Sequence, residues 1–239
     1  MSKNIAIAAM VVSLLSVWPA LAQSYTYVVH GIPGRDVGEA YNPSFPIDVS
    51  VDGACIVKNA QFGNIIGPVE IPSGAVTVLA YTANATNPCS GRAILGTQAG
   101  VASGQTISVV AGETANRALT FNPLIVDLRP VAFNSGRVVV YHQADAPTLD
   151  IVGAALTADQ QNVTLSDIGL AGIGPGQGKA AVVKSGTVYL GRVTFPGAAE
   201  PSYGPPTTVG DRAVEVEYLV GSAATGSLTV IGTLIPDVY

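Results

Sequence analysis

The 239-residue chain is poor in charge: 11 Lys and Arg against 16 Asp and Glu make 11% of the residues, where an average soluble domain carries about 25%. A net charge of −5 gives neither phosphates nor anionic headgroups anything to bind, so nucleic acid is excluded as a partner. There is one Trp, Trp18, and there are only two Cys and two His. Beyond the N-terminus no apolar run approaches the roughly 20 residues that a bilayer requires, so no stable membrane insertion is expected. No segment carries a sustained apolar stripe at 3.6-residue spacing, which leaves helical architectures without a core face. At 48% hydrophobic, the chain can nevertheless bury enough apolar surface to offset the entropy of ordering.

The N-terminus reads as a secretory leader. Lys3 supplies a basic start, Ile5–Val17 is apolar, and Ala20-Leu21-Ala22 is a small-x-small cleavage site before Gln23. Removal of residues 1–22 would leave 239 − 22 = 217 residues, and export to the periplasm, the cell surface or the medium is the expectation. In an oxidising compartment, Cys55 and Cys89 suit one disulfide, while two separate buried thiols are the alternative.

Short β-rich segments fill the remainder. Ser24–Val29 and Thr106–Ala111 are rich in β-branched residues, and Ile47–Asp52 alternates apolar with polar before an Asp52-Gly53 turn. Arg137–Tyr141, Ala180–Lys184, Thr187–Thr194, Ala213–Val220 and Ser227–Leu234 continue the series, punctuated by Gly and Pro at Gly172–Gly178, Pro196–Pro206 and Gly221–Gly226. Thr157–Leu165 fits a strand or a helical turn equally. Strands at this spacing predict an all-β chain of two tandem β-sandwich domains, residues 23–133 and 134–239, divided near Arg129–Gly136.

The clearest pattern is an internal repeat. In the first half a β-branched strand runs into His30, followed by Pro33, Asp36 and the strand Ile47-Asp48-Val49. In the second, Val138–Tyr141 runs into His142, then Asp145, Pro147 and Leu149-Asp150-Ile151. The His-to-Asp spacing is 48 − 30 = 18 in one and 150 − 142 = 8 in the other, and these are the chain's only histidines.

The run Val140–Ile151 resembles the opening of the domain of unknown function 4397 family. Val51-Asp52-Gly53, Ala60-Gln61-Phe62-Gly63-Asn64 and Glu70-Ile71-Pro72-Ser73-Gly74 resemble the rest of its pattern. The resemblance implies tandem, exported, immunoglobulin-like β-sandwich modules and no agreed biochemical role. After Asp150 the Asp-Gly turn and the Phe-Gly motif are missing from the second copy.

Two readings of the repeated residues follow. In the first, His30 and His142 brace strand ends by hydrogen-bonding a neighbouring carboxylate or carbonyl; Asp145 closes its own turn, Pro147 fixes the entry of the next strand, and Asp48 and Asp150 face the adjacent strand. In the second, His142 with Asp145 and Asp150 holds a metal, but one His per half falls short of the two or three nitrogen or sulfur ligands of typical sites. The bracing reading is preferred, with no cofactor and no catalysis.

Gly172–Ala180 lacks the spacing of a phosphate loop, and Glu215 and Glu217 share one strand face, read as solvated. Tyr41 and Tyr203, with the Pro196–Pro206 segment, are the candidate contacts for an unknown protein or surface polymer. The function expected is a surface, matrix or periplasmic interaction module, with a glycan-binding accessory module and a hydrolase of unrecognised site as alternatives.

Overall fold

The computed structural model describes residues 22–39, 42–156 and 163–236. The first half contributes β1 (Ser24–His30), β2 (Ile47–Val51), β3 (Ala54–Ala60), β4 (Ile65–Ile71), β5 (Gly74–Thr82), β6 (Leu95–Val101), β7 (Thr106–Thr114) and β8 (Ala118–Ile125). The second contributes β9 (Ser135–Asp145), β10 (Leu149–Leu156), β11 (Val163–Ile173), β12 (Gly178–Lys184), β13 (Val188–Val193), β14 (Ser202–Tyr203), β15 (Thr207–Thr208), β16 (Val214–Ser222) and β17 (Thr229–Ile235). Short 3₁₀ turns occupy Gly34–Val37 and Ala115–Arg117. Of the undecided segment Thr157–Leu165, residues 157–162 lie outside the described residues, and the remainder opens β11.

The described strands form four sheets, and their order repeats. The first half pairs β4-β1-β7-β8 and β3-β2-β5-β6; the second pairs β12-β9-β16-β17 and β11-β10-β13-β14, with β15 also on β13. In each half the opening strand runs parallel to its penultimate long strand, β1 beside β7 and β9 beside β16, and the other pairings are antiparallel. The repeat seen in the residues is thus a repeat of topology.

The sheets stack so that two are buried on both faces. Successive residues of their central strands point into different cores. On β9, Val138 and Val140 enter the second half's core while Val139 and Tyr141 enter a core between the halves. On β1, Val28 faces inward and Val29 faces the partner half; on β7, Val109 and Val110 divide in the same way. Burial on both faces is why Val28-Val29 and Val138–Tyr141 are continuous apolar runs rather than alternating ones.

The seam between the halves is closely packed. Val29, Val110, Val139, Tyr141, Val214, Val216, Tyr218 and Val220 form one buried cluster. Tyr141 and Tyr218 stack with centroids 5.5 Å apart, and the Ser108 and Tyr218 hydroxyls meet at 2.5 Å. Asn122 donates to Gln143 Oε1 at 2.6 Å, and the Tyr141 hydroxyl donates to the carbonyl of Ile125. The connection between halves is tied down by Arg137, whose guanidinium donates to the carbonyls of Asp127 (3.0 Å) and Arg129 (2.5 Å). Burying a Val side chain contributes about 1.5–3 kcal/mol, so this cluster makes the stack one body.

One expectation is overturned. Glu215 and Glu217 do not lie on a solvated outer face. Val214, Val216 and Tyr218 point into the seam, so the alternate residues Glu215, Glu217 and Leu219 turn toward the second half's own sandwich. Glu217 Oε1 accepts from the buried Tyr189 hydroxyl at 3.1 Å and from Thr207 Oγ1 at 3.2 Å. Burial pushes the pKa of Glu217 up against these hydrogen bonds.

Candidate functional site

The two histidines lie on matching strands and make matching bonds: His30 ends β1, and His142 lies three residues before the end of β9. His30 and His142 are both fully buried. His30 Nε2 lies 2.6 Å from the Phe45 carbonyl, and its Nδ1 accepts the Ile32 N–H at 3.3 Å. His142 Nε2 lies 2.8 Å from the Pro147 carbonyl, and its Nδ1 accepts the Ala144 N–H at 3.4 Å. A ring nitrogen that accepts carries no proton, so both imidazoles are the Nε2–H tautomer and donate to a carbonyl in the connection to the next strand. Burial lowers the pKa of His30 to about 4, against the pull of the Phe45 carbonyl, and lowers that of His142 for the same reason. Both rings are therefore neutral braces at physiological pH.

The main chain of each His is held in the same way. His30 donates to the Asn64 carbonyl and accepts from Gly63; His142 donates to the Gln177 carbonyl and accepts from Gly176. Each holding turn is closed by its last side chain: Asn64 Oδ1 accepts from Gln61 N at 2.9 Å, and Gln177 Oε1 accepts from Gly174 N at 3.0 Å. Gly174-Pro175-Gly176-Gln177 thus performs in the second half what Gln61-Phe62-Gly63-Asn64 performs in the first. The missing Phe-Gly motif is replaced in function, and the glycine-rich run is a turn that seats His142.

The aspartates do not meet the histidines. Asp48, 1% exposed, accepts three backbone N–H groups: Asn59 at 2.9 Å on Oδ1, and Asn84 and Cys89 at 3.0 Å on Oδ2. It gathers the β3 end, the loop after β5 and the Cys89 segment, where Cys89 forms a disulfide with Cys55. Asp150, more exposed, accepts from Gly172 N and from Arg192, each at 2.8 Å. Burial pushes the pKa of Asp150 up, but the Arg192 and Gly172 hydrogen bonds and the Arg192 and Lys179 charges hold it below the usual carboxylate value. Asp145 Oδ2 accepts from Ser222 Oγ at 3.1 Å on the neighbouring strand, and Asp36 Oδ2 accepts from Ser227 Oγ of the other half at 2.6 Å. Pro147 supplies the carbonyl that His142 binds. Among the described residues no three His, Cys, Asp or Glu converge as a metal group.

Tyr41 lies outside the described residues. Tyr203, 48% exposed, lies at a largely apolar cleft of about 410 Å³ with Phe195, Pro205, Leu228 and Val230. The cleft has a topological origin. In the first half, the seven-residue β6 runs beside β5 and packs against β8, closing that edge of the sandwich. Its counterpart in the second half is split into the two-residue β14 and β15 by Gly204-Pro205-Pro206, since proline supplies no N–H to a ladder. The edge opens down to Leu149 and Leu219 of the core. Sequence reading named Tyr203 but missed this opening, whose one signal is the pair of prolines where a strand should run.

The arrangement defines an all-β chain of stacked antiparallel-rich sheets whose repeated polar residues hold its strand ends. A model of the family described as Domain of unknown function (DUF4397) matches residues 24–152, more than half of the chain, and the chain belongs to that family. No relative is found among curated proteins. Among solved structures, one provisionally described as a cell adhesion protein from Bacteroides uniformis aligns at 11% identity over 89% of this chain and 98% of its own, with a TM-score of 0.26. Another, described in the same way, from Bacteroides ovatus aligns at 11% identity over 91% of this chain and 100% of its own, with a TM-score of 0.23. Likenesses at these scores say nothing of activity. Among the described residues no helix is long and apolar enough to cross a membrane.

Proposed function

We propose that the chain is an exported, non-catalytic interaction module acting at a cell surface, in a matrix or in the periplasm. It would comprise a leader over residues 1–22 and two immunoglobulin-like units, residues 23–133 and 134–239. The observation that carries this reading is the use of both imidazoles as neutral, buried braces: the chain's only histidines are spent on holding the connections that follow their strands. The Cys55–Cys89 disulfide supports an oxidising compartment. The stack would act as a rigid support for its exposed loops. The partner would be a protein or a surface polymer.

A glycan-binding variant of this role is favoured by Tyr203, whose half-exposed ring at the cleft offers a stacking surface. Binding to arrays of glycans and matrix polymers, compared between the wild type and Tyr203→Ala, tests both readings. Retention on a polymer or protein with no glycan signal supports the module; a glycan signal lost in Tyr203→Ala supports the variant. Turnover in an esterase, glycosidase or peptidase panel that His142→Ala abolishes would contradict both.

A further inference from the structure

Where the 3₁₀ turn of the first half meets the end of β16 in the second, three carboxyl groups gather, one buried and two half-buried. Glu113, on β7, is 0% exposed. Asp36, from the turn Gly34–Val37, and Asp145, at the end of β9, both place their charge against it. With every carboxyl written as a carboxylate, both oxygens of Glu113 and Oδ1 of Asp36 are buried acceptors with no donor. Two acceptor-only groups cannot hydrogen-bond each other, and an unsatisfied buried ion is costly. A proton kept on the fully buried Glu113 supplies the missing donor.

The facing groups make a positive counterion a poor substitute. Arg117 eases the charge on Glu113. The nearby Arg35 guanidinium donates to the Thr225 carbonyl at 3.3 Å. The connection between β16 and β17 presents hydroxyls: Ser227 Oγ donates to Asp36 Oδ2 at 2.6 Å, and Ser222 Oγ donates to Asp145 Oδ2 at 3.1 Å. Ser227 is itself positioned by the Ser222 N–H at 2.8 Å. Asp36 therefore takes one hydrogen bond across the seam on Oδ2 and has its buried Oδ1 left for a donor on its own side.

We propose that Glu113 keeps its proton and donates it to Asp36, forming an acid-pair clamp at the seam that ties the first half to the Ser222–Ser227 connection of the second and slackens when that proton is lost. Loss of the proton leaves three negative charges close together, two on the first half and one on the second, with that of Glu113 fully buried. Burial first, and then the Asp36 charge and hydrogen bond and the Asp145 charge, raise the pKa of Glu113 to about 8 against the Arg117 charge. An unfolded Glu releases its proton near 4.5. The folded state thus holds the extra proton between those values, and the clamp's contribution, complete below about 4.5, is lost as pH rises through about 8. The clamp is strongest in acidic surroundings.

Thermal unfolding from pH 6 to pH 9, for the wild type and Glu113→Gln, tests the clamp. The amide is isosteric, cannot ionise and donates to Asp36 at any pH. The wild type is expected to lose about 4 °C of melting temperature across this range relative to the variant. Parallel curves would overturn the proposal. A second measurement needs no variant: the infrared carbonyl stretch of a protonated carboxylic acid should be present in the folded wild type at pH 7 and vanish by pH 9 as hydrogen exchange at β7 and the Ser222–Ser227 connection quickens. Absence of that band at pH 7, or its loss with no change in exchange there, would equally overturn it.

Discussion

His30 and His142 stand 112 positions apart in the chain (142 − 30) and make the same four hydrogen bonds: Nε2 to a carbonyl in the connection ahead, Nδ1 from the N–H two residues on, and backbone N–H and C=O to a closed turn. A histidine in this position joins three chain segments while its ring remains neutral. His142→Ala is expected to lower stability by about 2–3 kcal/mol by stranding the Pro147 carbonyl and the Ala144 N–H and leaving a cavity. Chemical denaturation at pH 7 checks it; a loss below about 0.5 kcal/mol would mean that the ring braces nothing.

Asp48 and Asp150 occupy matching places in the repeat but carry different loads. Asp48 accepts three main-chain N–H groups with almost no access to water, whereas Asp150 shares its charge with Arg192 nearer the surface. Asp48→Asn is expected to cost about 2–3 kcal/mol and Asp150→Asn less than about 1 kcal/mol. Equal costs in paired denaturation curves would contradict the assignment.

Strand positions were legible because alternation and β-branched runs mark extended chain: Ile47–Val51 reads as a strand and is one, although its alternation suggests one wet face and both Asp48 and Ser50 are buried. The repeat was legible because its polar residues are tied to particular backbone positions. The seam was harder to read, because it concerns which face meets which sheet. Glu215 and Glu217 alternate with Val214, Val216 and Tyr218, and alternation identifies two faces without saying that both are covered. The unbroken Val138–Tyr141 run carried the needed signal, since a strand apolar on both sides has a layer on each. The turn that seats His142 was hidden for a different reason: its hydrogen bonds come from backbone groups, so Gly174–Gln177 and Gln61–Asn64 do the same work with little sequence in common.

Close approach at the seam makes Gly31 a sensitive position. A Cβ there would lie 2.5 Å from Val220 Cγ1 and 2.9 Å from the Ala111 carbonyl. Gly31→Ala must push the halves apart, at a cost of about 1–3 kcal/mol. Gly53, in the Asp52-Gly53 turn, has open space around it but a φ of 83°, so Gly53→Ala acts through backbone strain alone. Only Gly31→Ala should quicken hydrogen exchange in β16; equal effects from both would contradict the packed seam.

The Cys55–Cys89 bridge closes a sequence separation of 34. Replacing both cysteines by serine should cost about 2–4 kcal/mol through the larger entropy of the unfolded chain. A reductant should lower the melting temperature of the wild type and leave that of the double variant unchanged. An unshifted wild type would remove the bridge from the account.

The two imidazoles themselves provide the most direct test. Folded His30 holds off its proton until about pH 4, while an unfolded His accepts one near 6.5, so the stability this ring lends is present above about 6.5 and is withdrawn as pH falls toward 4. Long-range ¹H–¹⁵N correlation of the His side chains across pH 4–8 reads tautomer and charge together. Two neutral Nε2–H rings at pH 6.5, with His30 unprotonated down to about pH 4, are the predicted result; a ring titrating freely near 6.5, or one protonated on Nδ1, would contradict the braced scaffold.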